Sequence, residues 1–579
     1  MIETLFMAET DLAGHTRDGG SASKRFTWVD GAILALFALF AVGCFVGRWK
    51  GMNPFVYLGS DAGIVSSFVA AYQHPDLFRT DPLLGDFTNF RYYLAFHPIL
   101  IYALNKITGD YGVAYTSLLL LTAFLQCAGF YLLGRVLFGS RYWAFLLSVM
   151  ALCPIYLPIR EFWGVFDDPL PRSLFHACLP YVLAAAIYYK DKRRVWPWLM
   201  VAVGLLFYTH PVSAPHWAFA IWLGIWPFLP KTWNWYRKIG YMFVLGLIFV
   251  ATVLPWASNF LFVHGRAASV TVKYREVVEI IGERVGKELL DVGLALQMWW
   301  DKASSWPLWL YISWAICASV VVSFTRPERR KDIFLIAIWA SGILFVAVGL
   351  TFIEQTICRL YDLKRLQMDS IRGIKYLVPL ILVLSLWPLA EISRKMSSRS
   401  LNRTLVMLAG AILVGGWAWE NPPMKFLDAA RSWAAGSLMP PVSSTEKSGI
   451  EALNAVRRIT PPGSKILPMV LPLEVRYCAL RPVAYAYKDG GIFADTNLTE
   501  LLEWERVRKE MESISNIKDN RAKLERLLIL TRELGADYVL TDFAVDTAVA
   551  ASLKADVLWS NKSLALVQPL PTRTQPHSR

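Results

Sequence analysis

Apolar runs of about twenty residues, each closed by a short polar interruption, recur between residues 28 and 419. A bilayer core of about 30 Å takes roughly 20 residues of helix. That ruler divides the chain into spans at 28–47, 111–135, 142–158, 174–189, 195–210, 213–229, 239–258, 305–324, 332–352, 371–391 and 403–419. The pattern predicts about eleven transmembrane helices. Pro211 and Pro215 interrupt the short pair at 195–229. Beyond Trp419, Asn421-Pro422-Pro423 and Pro440-Pro441 open a polar stretch with no span. In it 449–459 reads as a helix, 465–471 as a buried strand, 499–514 and 520–534 as amphipathic helices, and 537–541 as a strand. Segments 557–559 and 563–567, separated by Asn561, read as a terminal hairpin.

Charge sets the orientation. Lys190 to Arg194, Lys231 to Lys238, Arg326 to Lys331 and Arg394 to Arg403 are basic clusters between apolar runs. With the amino terminus inside and spans alternating, all four fall in cytoplasmic loops, as the positive-inside bias requires. Residues 1–27 then form a disordered cytoplasmic tail, and 28–420 a membrane domain whose outer loops are 48–110, 159–173, 259–304 and 353–370. Residues 421–579 lie outside too. Two apolar or amphipathic stretches too short to cross, 94–107 and 274–296, fit helices lying along the interface. The expected fold is therefore a polytopic α-helical membrane protein with a carboxyl-terminal extracytoplasmic α/β domain, in a cytoplasmic (inner) membrane.

Composition agrees and narrows the function classes. Hydrophobic residues are 55% of the 579, charged ones 18%, and aromatic ones 14%; mean hydropathy is +0.39. A soluble enzyme, a disordered regulator and a disulfide-stapled secreted domain are excluded. The net charge of +14 would suit a nucleic-acid binder, but its concentration in short loops makes it a topology signal, so no nucleic acid is expected. Seven cysteines contain no CxxC pair. Of these, only Cys358 and Cys478 fall in outer segments, where a bridge between them is open.

The predicted spans are almost free of charge at their centres, which argues against an ion-coupled transporter. Acidic residues stand instead at outer helix ends: Asp61 in Gly59-Ser60-Asp61-Ala62-Gly63, and Asp167 and Asp168 in Arg160-Glu161-Phe162-Trp163-Gly164-Val165-Phe166-Asp167-Asp168-Pro169. Carboxylates gathered at one interface can deprotonate a hydroxyl or hold a divalent cation against a diphosphate. They can equally be helix caps and turn starters. Arg359, Lys364, Arg365, Arg372 and Lys375 run against the charge bias by lying outside. Such a cluster suits a phosphate, while snorkelling to head groups explains it as well. His210, before Pro211, and Glu354 stand at outer helix ends, as sugar contacts or as caps.

One span, a long outer loop with an early acidic residue, a second acidic pair in the next outer loop, further spans and an outer α/β domain resemble the GT-C superfamily of polyprenyl-phosphate-dependent membrane glycosyltransferases. The pieces that carry the resemblance are Gly59-Ser60-Asp61-Ala62-Gly63, Asp76-Leu77-Phe78-Arg79-Thr80-Asp81, Asp167-Asp168-Pro169 and Thr209-His210-Pro211. It implies an extracytoplasmic site that takes a sugar from a lipid carrier, with Asp61 similar to the catalytic base and Asp167 or Asp168 to the second acidic position. The chain departs from the pattern in having a single Asp at the first motif, which leaves a divalent cation (Mg or Mn) on Asp61, Asp167 and Asp168 open.

The leading expectation is a glycosyltransferase moving a sugar from a polyprenyl-phosphate donor to a glycan, lipid or protein acceptor. Asp61, Asp167 and Asp168 would serve catalysis, Arg359, Arg365, Arg372 and Lys375 the donor phosphate, and His210 and Glu354 the acceptor or sugar. The alternatives are a non-catalytic GT-C-like scaffold in envelope glycan assembly and, with less support from the clean spans, a lipid or polysaccharide transporter.

Overall fold

The computed structural model describes residues 27–52, 56–58, 60–91, 93, 95–152, 155–159, 161–165, 168–268, 274–286, 291–305, 308–325, 327–361, 363, 370–395 and 425–570. The expected span at 403–419, the tail before Thr27, Asp167, Lys364 and Arg365 lie outside the described residues.

Five helices are long and apolar enough to cross a membrane, and each coincides with an expected span: Trp28–Trp49, Tyr111–Phe138, Trp235–Val263, Arg330–Tyr361 and Ser370–Ser393. Arg141–Leu152 and Ile312–Phe324 are shorter apolar helices. The expected pair at 195–210 and 213–229 becomes Trp196–Phe207 and Ala214–Ile225, each of 12 residues. At 1.5 Å per residue such a helix is about 18 Å long, short of the roughly 30 Å core. Pro211 lacks the amide that would continue the helix, and the chain turns between them.

The span expected at 142–158 also stops early. Its helix ends at Leu152, and a hairpin follows in which β1 (Ile155–Leu157) pairs antiparallel with β2 (Glu161–Trp163). The turn passes through Ile159 at φ +60°. A β-branched residue resists that conformation at a cost of about 1–3 kcal/mol. Burial among Val292, Ala295, Ile371 and Ile374 offsets it. The hairpin is what aims Glu161 inward.

At the opposite end of the bundle, Asp30 is fully buried and accepts from the Tyr131 hydroxyl at 2.6 Å and Arg141 Nε at 3.1 Å. It also pairs with Arg135. One carboxylate thus ties three helices, with every charge matched by a partner.

The region after residue 425 is built from helices on a four-stranded sheet of order β3-β4-β6-β5, where β3 is Ile466–Pro468, β4 Tyr538–Thr541, β5 Ala555–Ser560 and β6 Ala565–Pro569. The β3–β4 pair is parallel and the other two are antiparallel. Helices Ser444–Ile459, Leu498–Ser515 and Asn520–Glu533 fall where the periodicity puts them. Two short ones, Pro472–Tyr477 and Asp489–Thr496, have no counterpart among the expected elements. They face the membrane domain: a single hydrophobic cluster joins Val65, Phe68 and Tyr115 to Leu473, Tyr477 and Phe493. Helix Phe96–Thr108 buries His97, Pro98 and Ile101 and exposes Phe96, Ile99, Tyr102 and Ile107, the two-faced pattern of an interfacial helix. Cys358 and Cys478 are both buried thiols, so they form no bridge.

Candidate functional site

Asp61 sits in the first turn of helix Ser60–Gln73, where a carboxylate meets the positive end of the helix dipole. The helix lies close against Pro472–Tyr477 because residue 63 is glycine. A Cβ there would come within 2.9 Å of Leu473 Cβ. This contact brings the carboxyl-terminal region against the helix that bears Asp61. Asp61 Oδ1 accepts from Lys488 Nζ at 2.7 Å, and Oδ2 from Arg172 Nη2 at 3.3 Å. The Asp61 side chain remains 47% exposed. Burial pushes its carboxyl up, but Lys488 and Arg172 outweigh this and hold it below the usual range. Asp61 is ionised at neutral pH and open to a solute.

Arg172 follows Pro171 at the start of helix Pro171–Tyr188 and reaches a second carboxylate, Glu161, at 3.5 Å. Glu161 is buried and is also paired with Lys375 and, at 3.3 Å, with Arg372 Nε. Arg372 and Lys375 lie on the 3₁₀ turn Ser370–Tyr376, where residues three apart eclipse, so both face the hairpin. Burial again pushes the Glu161 carboxyl up, and Lys375, Arg172 and Arg372 bring it below its ordinary value. Four cations, Arg172, Arg372, Lys375 and Lys488, therefore surround two carboxylates. That excess of positive charge suits an anion with two negative charges.

Other residues named from the sequence take different places. Asp168 accepts from Arg48 Nε at 2.6 Å, which ties the end of helix Trp28–Trp49 to the segment after the β1–β2 hairpin. His210 shares a 2.5 Å hydrogen bond between Nδ1 and Ser213 Oγ, and Ser213 accepts from the Tyr376 hydroxyl. His210 lies within electrostatic reach of Lys375, Arg172 and Arg372, so it borders the cluster. Arg359 pairs with Asp291 at 3.0 Å on the exposed surface, rather than with Glu161 or Asp61. Glu354 is half-buried in the first turn of helix Thr351–Tyr361. Asp81, between helices Trp28–Trp49 and Tyr111–Phe138, is a buried structural group bonded by Arg476 Nε and Nη2, both at 2.8 Å.

Among the described residues no three His, Cys, Asp or Glu side chains converge to hold a metal. Asp61 and Asp168 are each engaged by cationic groups, and Asp167 lies outside the described residues.

No family model matches the chain, and no curated protein matches it. Among solved structures it is similar to an oligosaccharyltransferase of Archaeoglobus fulgidus in complex with Zn and sulfate. That match has 12% identity, covers 90% of this chain and 69% of that one, and has a TM-score of 0.43. It is also similar to ArnT of Cupriavidus metallidurans bound to undecaprenyl phosphate, at 14% identity over 95% of this chain and 99% of that one, again with a TM-score of 0.43.

Proposed function

We propose that the chain is an integral membrane glycosyltransferase that moves a sugar from a polyprenyl-phosphate donor to a hydroxyl-bearing acceptor on the outer side of the cytoplasmic membrane, where residues 421–579 also lie. The observation that carries this reading is the half-exposed, ionised Asp61 set within an excess of cations. Asp61 takes the proton of the acceptor hydroxyl as its oxygen bonds to the anomeric carbon. The bond from that carbon to the donor phosphate breaks, and the phosphate leaves with the electron pair. Arg172 and Arg372, each partly exposed, neutralise it as bidentate donors. Lys375, buried against Glu161, holds the turn that presents Arg372, and His210 lines the same side.

A scaffold without catalysis is the second reading, favoured by the ion pairs that already occupy Asp61 and Asp168. Turnover separates the two. With purified protein, lipid-linked sugar and acceptor, Asp61→Asn is expected to lower turnover by about 100-fold or more while the unfolding temperature stays near that of the wild type. Equal turnover in the two proteins would remove Asp61 as the base.

A further inference from the structure

The ammonium of Lys488 reaches Asp61 from a part of the chain 427 residues away. Its backbone is fixed by a buried hub. Arg476, with no exposed side-chain surface, bonds Asp489 through Nη1 and Nη2, both at 2.7 Å, and Asp81 through Nε and Nη2, both at 2.8 Å. Asp489 directly follows Lys488, and Asp81 belongs to the same outer loop as Asp61. The hub therefore registers Lys488 against the Ser60–Gln73 helix and leaves only the four-carbon stem free to move. The Lys488 side chain is 29% exposed, so a solute can reach it. Arg172 behaves differently, because buried Glu161 anchors it as well as Asp61.

We infer that Lys488 is an exchangeable counter-ion. It rests on Asp61 in the empty site and turns to the phosphate of the incoming lipid-linked sugar, so the carboxyl-terminal domain supplies a binding residue to the site. This rests on the function proposed above. The donor phosphodiester carries one negative charge, as the carboxylate does, so the exchange costs little on binding; the second charge that develops as the phosphate leaves draws the ammonium further, and lysine, a point charge on a flexible stem, can follow it. The exchange frees Asp61 Oδ1 for the acceptor hydroxyl while Arg172 still orients Oδ2. Donor binding would thus unmask the base, and an empty site would keep it capped.

Equilibrium binding of a polyprenyl monophosphate to the purified full-length protein tests this. Lys488→Ala is expected to weaken binding by about tenfold, and Lys488→Arg to restore most of it. Asp61→Asn is expected to tighten binding by about threefold or more, because the competing carboxylate is gone. Loss of repulsion alone also tightens binding, so the gain is measured again in the Lys488→Ala background: exchange predicts that it shrinks there, and a gain of the same size overturns the exchange. Lys488→Met, which keeps most of the stem, serves the same comparison if Lys488→Ala folds poorly. Unchanged affinity in Lys488→Ala, or no gain in Asp61→Asn, overturns the exchange and leaves the glycosyltransferase reading to its turnover assay. A wild type that binds no polyprenyl monophosphate overturns both.

Discussion

Glu161 and Asp61 show how two carboxylates with shared cations come to different uses. Glu161 is 1% exposed and held by Lys375, Arg172 and Arg372, so its job is to keep three cations together. Glu161→Ala would take the counter-charge from buried Lys375 and one partner each from Arg172 and Arg372, and a loss of about 3–5 kcal/mol is expected, read as a lower unfolding temperature. The pH dependence has a definite sign. The folded carboxyl titrates below its ordinary value, so on acidification the unfolded chain binds the proton first. The stabilisation is complete above about pH 5, since unperturbed Glu titrates near 4.3, and is lost as pH falls through the folded value. Glu161→Gln is expected to flatten that acid limb of the unfolding-temperature profile. Asp61, Arg372 and Lys375 stand out in the sequence as charges beside apolar runs. Arg172 does not stand out there, and Glu161 appears only within a longer motif. Lys488 gives no local signal, because its significance lies in a partner far along the chain.

At the level of elements, the apolar pattern finds the long helices by their repeat and the central strands as short buried runs. It misjudges places where a tertiary contact ends an element. The helix begun at Arg141 stops at Leu152 for a hairpin whose turn residue, Ile159, would be disfavoured there in isolation. Helices Pro472–Tyr477 and Asp489–Thr496, at 6 and 8 residues, are too short to show a period, yet they carry Arg476 and Asp489. Gly63 connects this scale to the site. Gly63→Ala would add about 1 kcal/mol of helix propensity but drive a methyl against Leu473 Cβ, an overpacking cost of typically 1–3 kcal/mol. Net destabilisation and reduced turnover are expected, as the helix bearing Asp61 is pushed from Pro472–Tyr477. Gly31→Ala is the control, for a Cβ there meets no atom within 4 Å; its unfolding temperature should match or exceed that of the wild type.

On the scale of the whole molecule, the segment after helix Trp28–Trp49 and the carboxyl-terminal region share one core and one set of buried charges. Tyr477 accepts from Leu58 N and donates to the Val56 carbonyl, both at 3.0 Å. Val277, Ile280 and Ile281 join the same cluster, and Arg508 pairs with Glu283. The composition shift after Trp419 reveals a separate kind of chain but cannot show that it closes over Asp61, because shared cores leave no mark in either segment alone. Arg476 is the point at which this coupling can be broken. Arg476→Ala would leave Asp81 and Asp489 buried and facing each other without their counter-charge, for a loss of about 3–5 kcal/mol. Arg476→Lys keeps the charge but loses the fork that serves two carboxylates at once, so it should recover only part. Hydrogen exchange distinguishes a hub from a local pair. If Arg476 couples the two regions, amides in 60–91 and in 472–496 lose protection together in Arg476→Ala, while those around buried Asp30, at the far end of the bundle, do not change. Loss confined to 472–496 would mean that the outer loop holds its shape unaided, and that Lys488 reaches Asp61 through the apolar contact at Gly63 and Leu473 alone.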